Sequence, residues 1–304
     1  MNHCFPLPIL TGILLGIPLF STSQTLSAGP SFDVNNFHWS IAGNEQGQSP
    51  NILSELKFKN IITLGFFAGG TCNVTNRLRL EAYYQRNGVL NGHGTDTDYE
   101  NDNRTNPTFQ QPFESDKGYL SVFSAGADYT LLQRRSLSVS AGAAYKNTSQ
   151  QFYLLSQDLP DLKSTYTARW RGPAIKIRGN YKCTRSLSAE ISIAYTNLWY
   201  RGTANWNMIA AFMHPVSFVQ TAKGYGMEYR VQGNYAINSY LTGTLALMAG
   251  NTSISRGTDI TYLTTGNQLR TQFNGAKNDN YNITLGITLQ LSHYATIKRK
   301  SRSS

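Results

Sequence analysis

Gly92 to Asn103 reads GHGTDTDYENDN, four acids and one histidine within twelve residues of a chain whose formal net charge is +10. Asp96 and Asp98, two residues apart, fall on one face of an extended segment. Two carboxylates so placed are candidates for acid–base chemistry. His93 lies three residues before Asp96 between Gly92 and Gly94, and nothing local fixes its position. The same acids would also keep an external loop hydrated, and that plainer reading is the one adopted. Oxygen ligands at Asp96, Asp98, Glu100 and Asp102 would suit a divalent cation, but the full spacing of a calcium loop is missing. No metal or cofactor site is expected.

The elements around this stretch read as strands. Only 14% of the 304 residues are charged, and Asn, Ser, Thr, Gly and Tyr take the places that Lys and Glu fill in a helical protein. Two-residue alternation is widespread. Leu56, Phe58, Ile62, Leu64 and Phe66 oppose Glu55, Lys57, Lys59 and Thr63. Leu78, Leu80, Ala82 and Tyr84 oppose Arg77, Arg79, Glu81 and Gln85, and Leu137, Val139, Ala141, Ala143 and Tyr145 oppose Ser138, Ser140 and Gly142. A sheet with one apolar and one polar face satisfies all three patterns.

Short links at 69–75, 132–136, 181–186 and 236–240 alternate with long polar links at 44–51, 87–117, 147–164, 203–220 and 255–277, leaving ten segments. An even strand number with short turns on one side and long loops on the other predicts an all-β fold. It is a ten-stranded antiparallel transmembrane β-barrel with short periplasmic turns and long extracellular loops, in the bacterial outer membrane. Several segments exceed the roughly 9 to 11 residues needed to cross hydrocarbon, so the wall should rise above the membrane. Tyr83, Tyr119, Tyr145, Trp170, Tyr195, Trp199 and Tyr229 are expected to form aromatic girdles. Residues 1–28, with the short apolar run from Phe5 to Phe20, read as a signal peptide cleaved near position 23 or 28. Residues 29–291 form the barrel, and 292–304 form a basic tail taken as a solvated periplasmic extension with no nucleic-acid role. Cys72 and Cys183 are read as isolated thiols or one incidental bridge.

Four stretches in order carry a family likeness: SELKFK (Ser54 to Lys59), DTDY (Asp96 to Tyr99), RWRGPAIKIRGNY (Arg169 to Tyr181) and FNGAKNDNYNITLGITL (Phe273 to Leu289). Together they resemble the omptin family of outer-membrane proteases, and in length and outline the chain also resembles outer-membrane porins of chlamydia-like bacteria. The omptin resemblance implies a groove at the extracellular rim where an Asp pair faces an Asp-His couple across a water. Asp96 and Asp98 match the pair. The couple, which the family places shortly after a strand-ending Trp (here Trp199), is missing. WYRGTANWNMIAAFMHPVSF contains no acid, and its one histidine, His214, precedes a proline.

The expected function is therefore a surface-exposed binding or structural barrel without protease activity. Its partners are outer-membrane lipid and lipopolysaccharide phosphates, and its extracellular ligand is not named by the sequence. Two alternatives stay open. One is a small porin-like channel with Glu55, Lys57, Lys59, Arg77, Arg79 and Glu81 lining water, and the other an omptin-type endopeptidase acting through Asp96 and Asp98 with a rearranged base.

Overall fold

The computed structural model describes residues 23–291; the expected signal peptide up to residue 22 and the basic tail from 292 lie outside the described residues. Twelve strands form one antiparallel sheet: β1 (Ser23–Ile41), β2 (Ser54–Asn73), β3 (Leu78–Asn101), β4 (Thr105–Glu114), β5 (Gly118–Gln133), β6 (Leu137–Leu155), β7 (Lys163–Lys182), β8 (Leu187–Asn205), β9 (Phe218–Ala236), β10 (Leu241–Ile254), β11 (Gly257–Tyr262) and β12 (Gln268–Gln290). β1 pairs with β12 from Thr25↔Gln290 to Ile41↔Phe273, which closes the ring. Residues 23–28, between the two expected cleavage positions, lie within β1. No described helix is long and apolar enough to cross a membrane. Strands cross instead, and closure leaves no unpaired edge facing lipid.

Ten wall positions accommodate the twelve strands, because two positions are split. β5 and β4 both pair with β3, β5 below and β4 above, and β10 and β11 share the position between β9 and β12 in the same way. The upper pieces occupy stretches expected to be loops. β3 runs through 87–101 and turns at Asp102–Arg104 into β4, so GHGTDTDYENDN is mostly strand rather than a solvated loop. Above the membrane the outer face of the wall meets water instead of lipid, so backbone pairing persists where hydrophobic alternation has stopped. β4 pairs with β6 only at Glu114↔Leu155. Pro107 and Pro112 on β4 lack the N–H that a further strand would need at that edge.

Apolar side chains point outward around the lower wall. Ile175, Ile177, Ile191, Val231, Leu245 and Leu285 are among the exposed ones. Tyr145, Tyr195, Tyr229 and Tyr281 border this band above, and Tyr181 and Tyr235 border it below, all exposed. Between Pro173, the register partner of Tyr145, and Tyr181 lie roughly 25 Å of strand at about 3.3 Å per residue, enough for a tilted crossing. Trp170 and Tyr83, expected in the girdles, instead face the lumen; Trp170 is buried at 4% exposure.

β2 departs from its expected alternation for a local reason. Asn60 takes φ 52° and the β2–β3 register shifts between Lys59 and Thr63, so a bulge switches the faces. Leu56, Phe58 and Ile61 are fully buried in the lumen, whereas Leu64 and Phe66 face lipid. Lys57 and Lys59 consequently lie on the outer face and do not line the lumen as the channel alternative expected. Glu55 is also outside, held by Arg104 at 2.8 Å. Asparagine suits this bend because it tolerates positive φ at little cost. Arg79 and Glu81 on β3 do point inward as expected, and Arg77 sits in the turn below them.

The lumen has two layers. The upper layer is an aromatic plug: Trp39 stacks on Tyr166 at 5.4 Å and meets Phe218 edge-on at 5.7 Å, Phe37 lies 5.8 Å from Trp170, and Tyr200 stacks on Phe273 at 5.4 Å. The lower layer is polar and surrounds a cavity of about 560 Å³. Arg178 there contacts Asp128 (2.7 Å), Glu81 (2.7 Å) and Glu190 (3.1 Å), Arg79 contacts Asp128 (2.8 Å), and Lys146 pairs with Glu228. Asp33 accepts hydrogen bonds from the amides of Asn87 (2.6 Å) and Gln85 (2.7 Å). Each charge thus has partners in place of the water it loses. Cys72 and Cys183 are free thiols.

Candidate functional site at the barrel mouth

Asp96 stands on the lumen face of β3, level with Leu56 of β2 and Gln111 of β4, while Leu56 is level with Trp39 of β1. This row places a carboxyl at the upper edge of the aromatic plug. Asp98, two residues on, shares that face beside Ser54 and is partly covered. The two-residue spacing therefore brings the acids to one face, as the sequence implied. It places Asp96 at 9% exposure, with Oδ1 lacking a hydrogen-bond partner.

Burial raises the Asp96 pKa to about 7, the neighbouring Asp98 adds to the rise, and hydrogen bonds from the Trp206 indole and the Thr97 backbone oppose it. Asp98 is also raised by burial, against a hydrogen bond from Ser54. Glu55 on the outer face behaves differently. Burial pushes its pKa up, but the Arg104 and Lys57 bonds outweigh this and leave it lowered.

The group facing Asp96 is Trp206, first residue of the loop joining β8 to β9. Its ring packs on Phe218 at 4.9 Å and lies 6.5 Å from Trp39. The loop is pinned on both sides. Trp206 N donates to Ser217 Oγ (2.9 Å), Asn207 Oδ1 accepts from Lys163 N (2.9 Å), and Asn207 Nδ2 donates to the Asp161 carbonyl (2.7 Å). An indole N–H donates only; it has no lone pair with which to take a proton from water.

Neither histidine considered from the sequence reaches the acid pair. His93 is exposed on the opposite face of β3, an odd number of residues from Asp96 in a regular strand. His214 is exposed in the β8–β9 loop, and its Nδ1 pairs with Asn205 Oδ1 at 2.8 Å. An amide oxygen, not a carboxylate, thus pairs with this ring. The structure brings Asp96 and Asp98 together and leaves His214 without a hydrogen bond to either.

Sequence reasoning missed two groups at the mouth. Trp206 was visible only as one aromatic among several, since its partner lies 110 residues away. Asp259 on β11 is 1% exposed, with burial raising its pKa to about 6 against hydrogen bonds from Gln220, Thr261 and Thr271. Gln220 in turn accepts from the Tyr166 hydroxyl, which also pairs with Tyr200. A lone acid in a polar stretch gave no signal that the barrel would close over it.

A closed antiparallel ring with an apolar outer band, tyrosine borders and a polar lumen at the level of that band defines a bacterial outer-membrane β-barrel. The chain belongs to the family described as Protochlamydia outer membrane protein (Pom), which matches residues 29–291. Its fold is similar to the crystal structure of the outer membrane protease OmpT from Escherichia coli, with a TM-score of 0.70 at 13% identity over 90% of this chain and 98% of that one. The translocator domain of the autotransporter NalP from Neisseria meningitidis aligns over 93% of each chain at 10% identity and a TM-score of 0.40. OprG from Pseudomonas aeruginosa aligns over 88% of this chain and 95% of that one at 8% identity and a TM-score of 0.35. No curated protein sequence matches the chain. The omptin shape read from four short stretches is thus present, within a family of the chlamydia-like bacteria that the second resemblance named.

Proposed function

We propose that this barrel is a surface-exposed binding or structural protein that has the omptin shape without omptin catalysis. One observation carries the reading: the side chain opposing Asp96 is the Trp206 indole. Water activation at an Asp pair needs a base within hydrogen-bond reach. Trp206 cannot be that base, and its ring occupies the space beside Asp96. Refolded protein is expected to leave dibasic peptides uncut over hours. Cleavage by the wild type that disappears in Asp96→Ala would overturn this reading.

The channel reading has the lower cavity in its favour and the plug against it. Ten strands lie between the roughly 8 of filled barrels and the 16 of open porins. Here the upper cross-section is occupied by packed rings. A planar bilayer carrying the wild type is accordingly expected to stay silent.

Lipopolysaccharide is the proposed partner of the outer wall. Just above the upper tyrosines, Arg169 of β7 stands opposite Arg201 of β8, and Arg171 stands opposite Trp199, which neighbours Lys223 of β9. All four cations are exposed, and none has an ion-pair partner among the described residues. Two arginines directly opposite repel each other unless an anion lies between them, and guanidinium groups bind phosphate in bidentate fashion. Changing all four to glutamine is expected to weaken lipopolysaccharide retention by about tenfold or more at low salt. Retention equal to wild type would rule out this site.

A further inference from the structure

The opposite end of the barrel carries a cationic surface that the proposed function does not use. Four short turns close the wall there: 74–77, 134–136, 183–186 and 237–240, and none contains an Asp or Glu. Cations concentrate on two neighbouring turns. Arg134 and Arg135 lie between β5 and β6, Lys182 ends β7, and Arg185 lies in the turn to β8. All four are exposed and lack ion-pair partners among the described residues.

The backbone that carries these cations is pinned at the turns. Arg134 N donates to the Leu137 carbonyl (2.8 Å), and Cys183 N to the Leu187 carbonyl (2.9 Å). Thr184 Oγ1 accepts from Leu187 N (3.0 Å). The two turns are also tied to each other by Lys182 N donating to the Ser136 carbonyl at 2.7 Å. The result is a compact patch on a backbone pinned by hydrogen bonds.

Its depth is fixed by what flanks it. Leu131, Leu132, Leu137, Tyr181 and Leu187 are all exposed large apolar side chains within a few residues of the cations. Such residues belong against hydrocarbon, and the adjoining charges must then sit at the level of lipid headgroups. We propose that this patch binds the phosphates of anionic phospholipids in the periplasmic leaflet, fixing the foot of the barrel in that leaflet. A periplasmic polymer fits less well, because turns of three or four residues end at the headgroup layer and cannot extend beyond it. Anionic headgroups attract each basic side chain near the surface by roughly fivefold in affinity, and the attraction fades beyond a Debye length.

The test uses the full mature barrel in detergent, exposed to an equimolar mixture of phosphatidylglycerol and phosphatidylcholine, with bound lipid read by native mass spectrometry. The wild type is expected to retain phosphatidylglycerol by about tenfold over phosphatidylcholine at 50 mM salt, falling towards parity at 0.5 M. The variant R134Q/R135Q/K182Q/R185Q should lose the preference, and a control with Arg169, Arg171, Arg201 and Lys223 changed to glutamine should keep it. Heat-dependent gel mobility checks that each variant is folded. Should the fourfold variant not fold, R134Q/R135Q alone and K182Q/R185Q alone should each lose part of the preference. Equal retention of both lipids by the wild type, or a preference that survives the turn changes, overturns the proposal. So does pelleting with purified peptidoglycan that the turn changes abolish while lipid retention stays unselective.

Discussion

Replacing Asp96 with asparagine stabilises the folded barrel at pH 8 by about 4 kcal/mol and leaves its stability at pH 4 nearly unchanged. The folded-state pKa of about 7 lies above the ordinary value of 3.8. Below 3.8 the carboxyl is protonated in both states, and the acid costs nothing. Between 3.8 and about 7 the unfolded chain releases its proton while the folded one retains it, so stability falls as pH rises. Above 7 the full penalty is present, about three units at about 1.36 kcal/mol each. Asparagine keeps the shape and an oxygen for the Trp206 N–H but has no proton to lose. Asp98 and Asp259 are raised too, so a shallower slope of the same sign should persist in Asp96→Asn. Urea unfolding from lipid vesicles, followed by tryptophan fluorescence at both pH values, measures the difference. Equal urea midpoints for wild type and variant at pH 8 would show that Asp96 is not confined as described.

What was legible in the sequence follows where lipid imposes a period. On β3, Leu80 and Tyr84 face out while Arg79, Glu81 and Gln85 face in, and on β6 Leu137 and Tyr145 face out. A membrane-facing strand must alternate, and the alternation survives in one dimension. The long link expected at 255–277 takes in the start of the closing strand, since β12 begins at Gln268. Its upper part has water on the outside, and polar residues there break the pattern. β2 misled for the opposite reason: its apolar residues continue through Phe58 to Phe66, but the bulge at Asn60 transfers them from plug to lipid. One unpaired residue reverses every face beyond it, and only the partner strand's register reveals that. The acid pair was legible because its two residues are adjacent on one strand. Its burial was not, because that comes from β1, β2 and a loop over a hundred residues later.

Changing Trp39 to alanine destabilises the barrel by about 3 to 5 kcal/mol, the cost of truncating a fully packed aromatic ring, whereas Trp39→Phe costs less than about 2 kcal/mol. The indole is 2% exposed and contacts Tyr166, Phe218 and Trp206 from three directions, so alanine leaves a cavity at the centre of the plug. Its Nε1 has no hydrogen-bond partner, so phenylalanine keeps most of the packing and leaves no donor unsatisfied. The same change tests the mouth. Trp206 faces Asp96 while packing against Trp39 and Phe218, so removing Trp39 loosens the ring that keeps water from the carboxyl. Hydration favours the ionised form and returns the Asp96 pKa towards its ordinary value. The stabilisation gained from Asp96→Asn at pH 8 is therefore expected to shrink by half or more when Trp39 is already alanine, a non-additivity that residues sharing one cavity produce. If the two substitutions instead add independently, the plug and the buried acid are separate features, and Trp206 does not couple them.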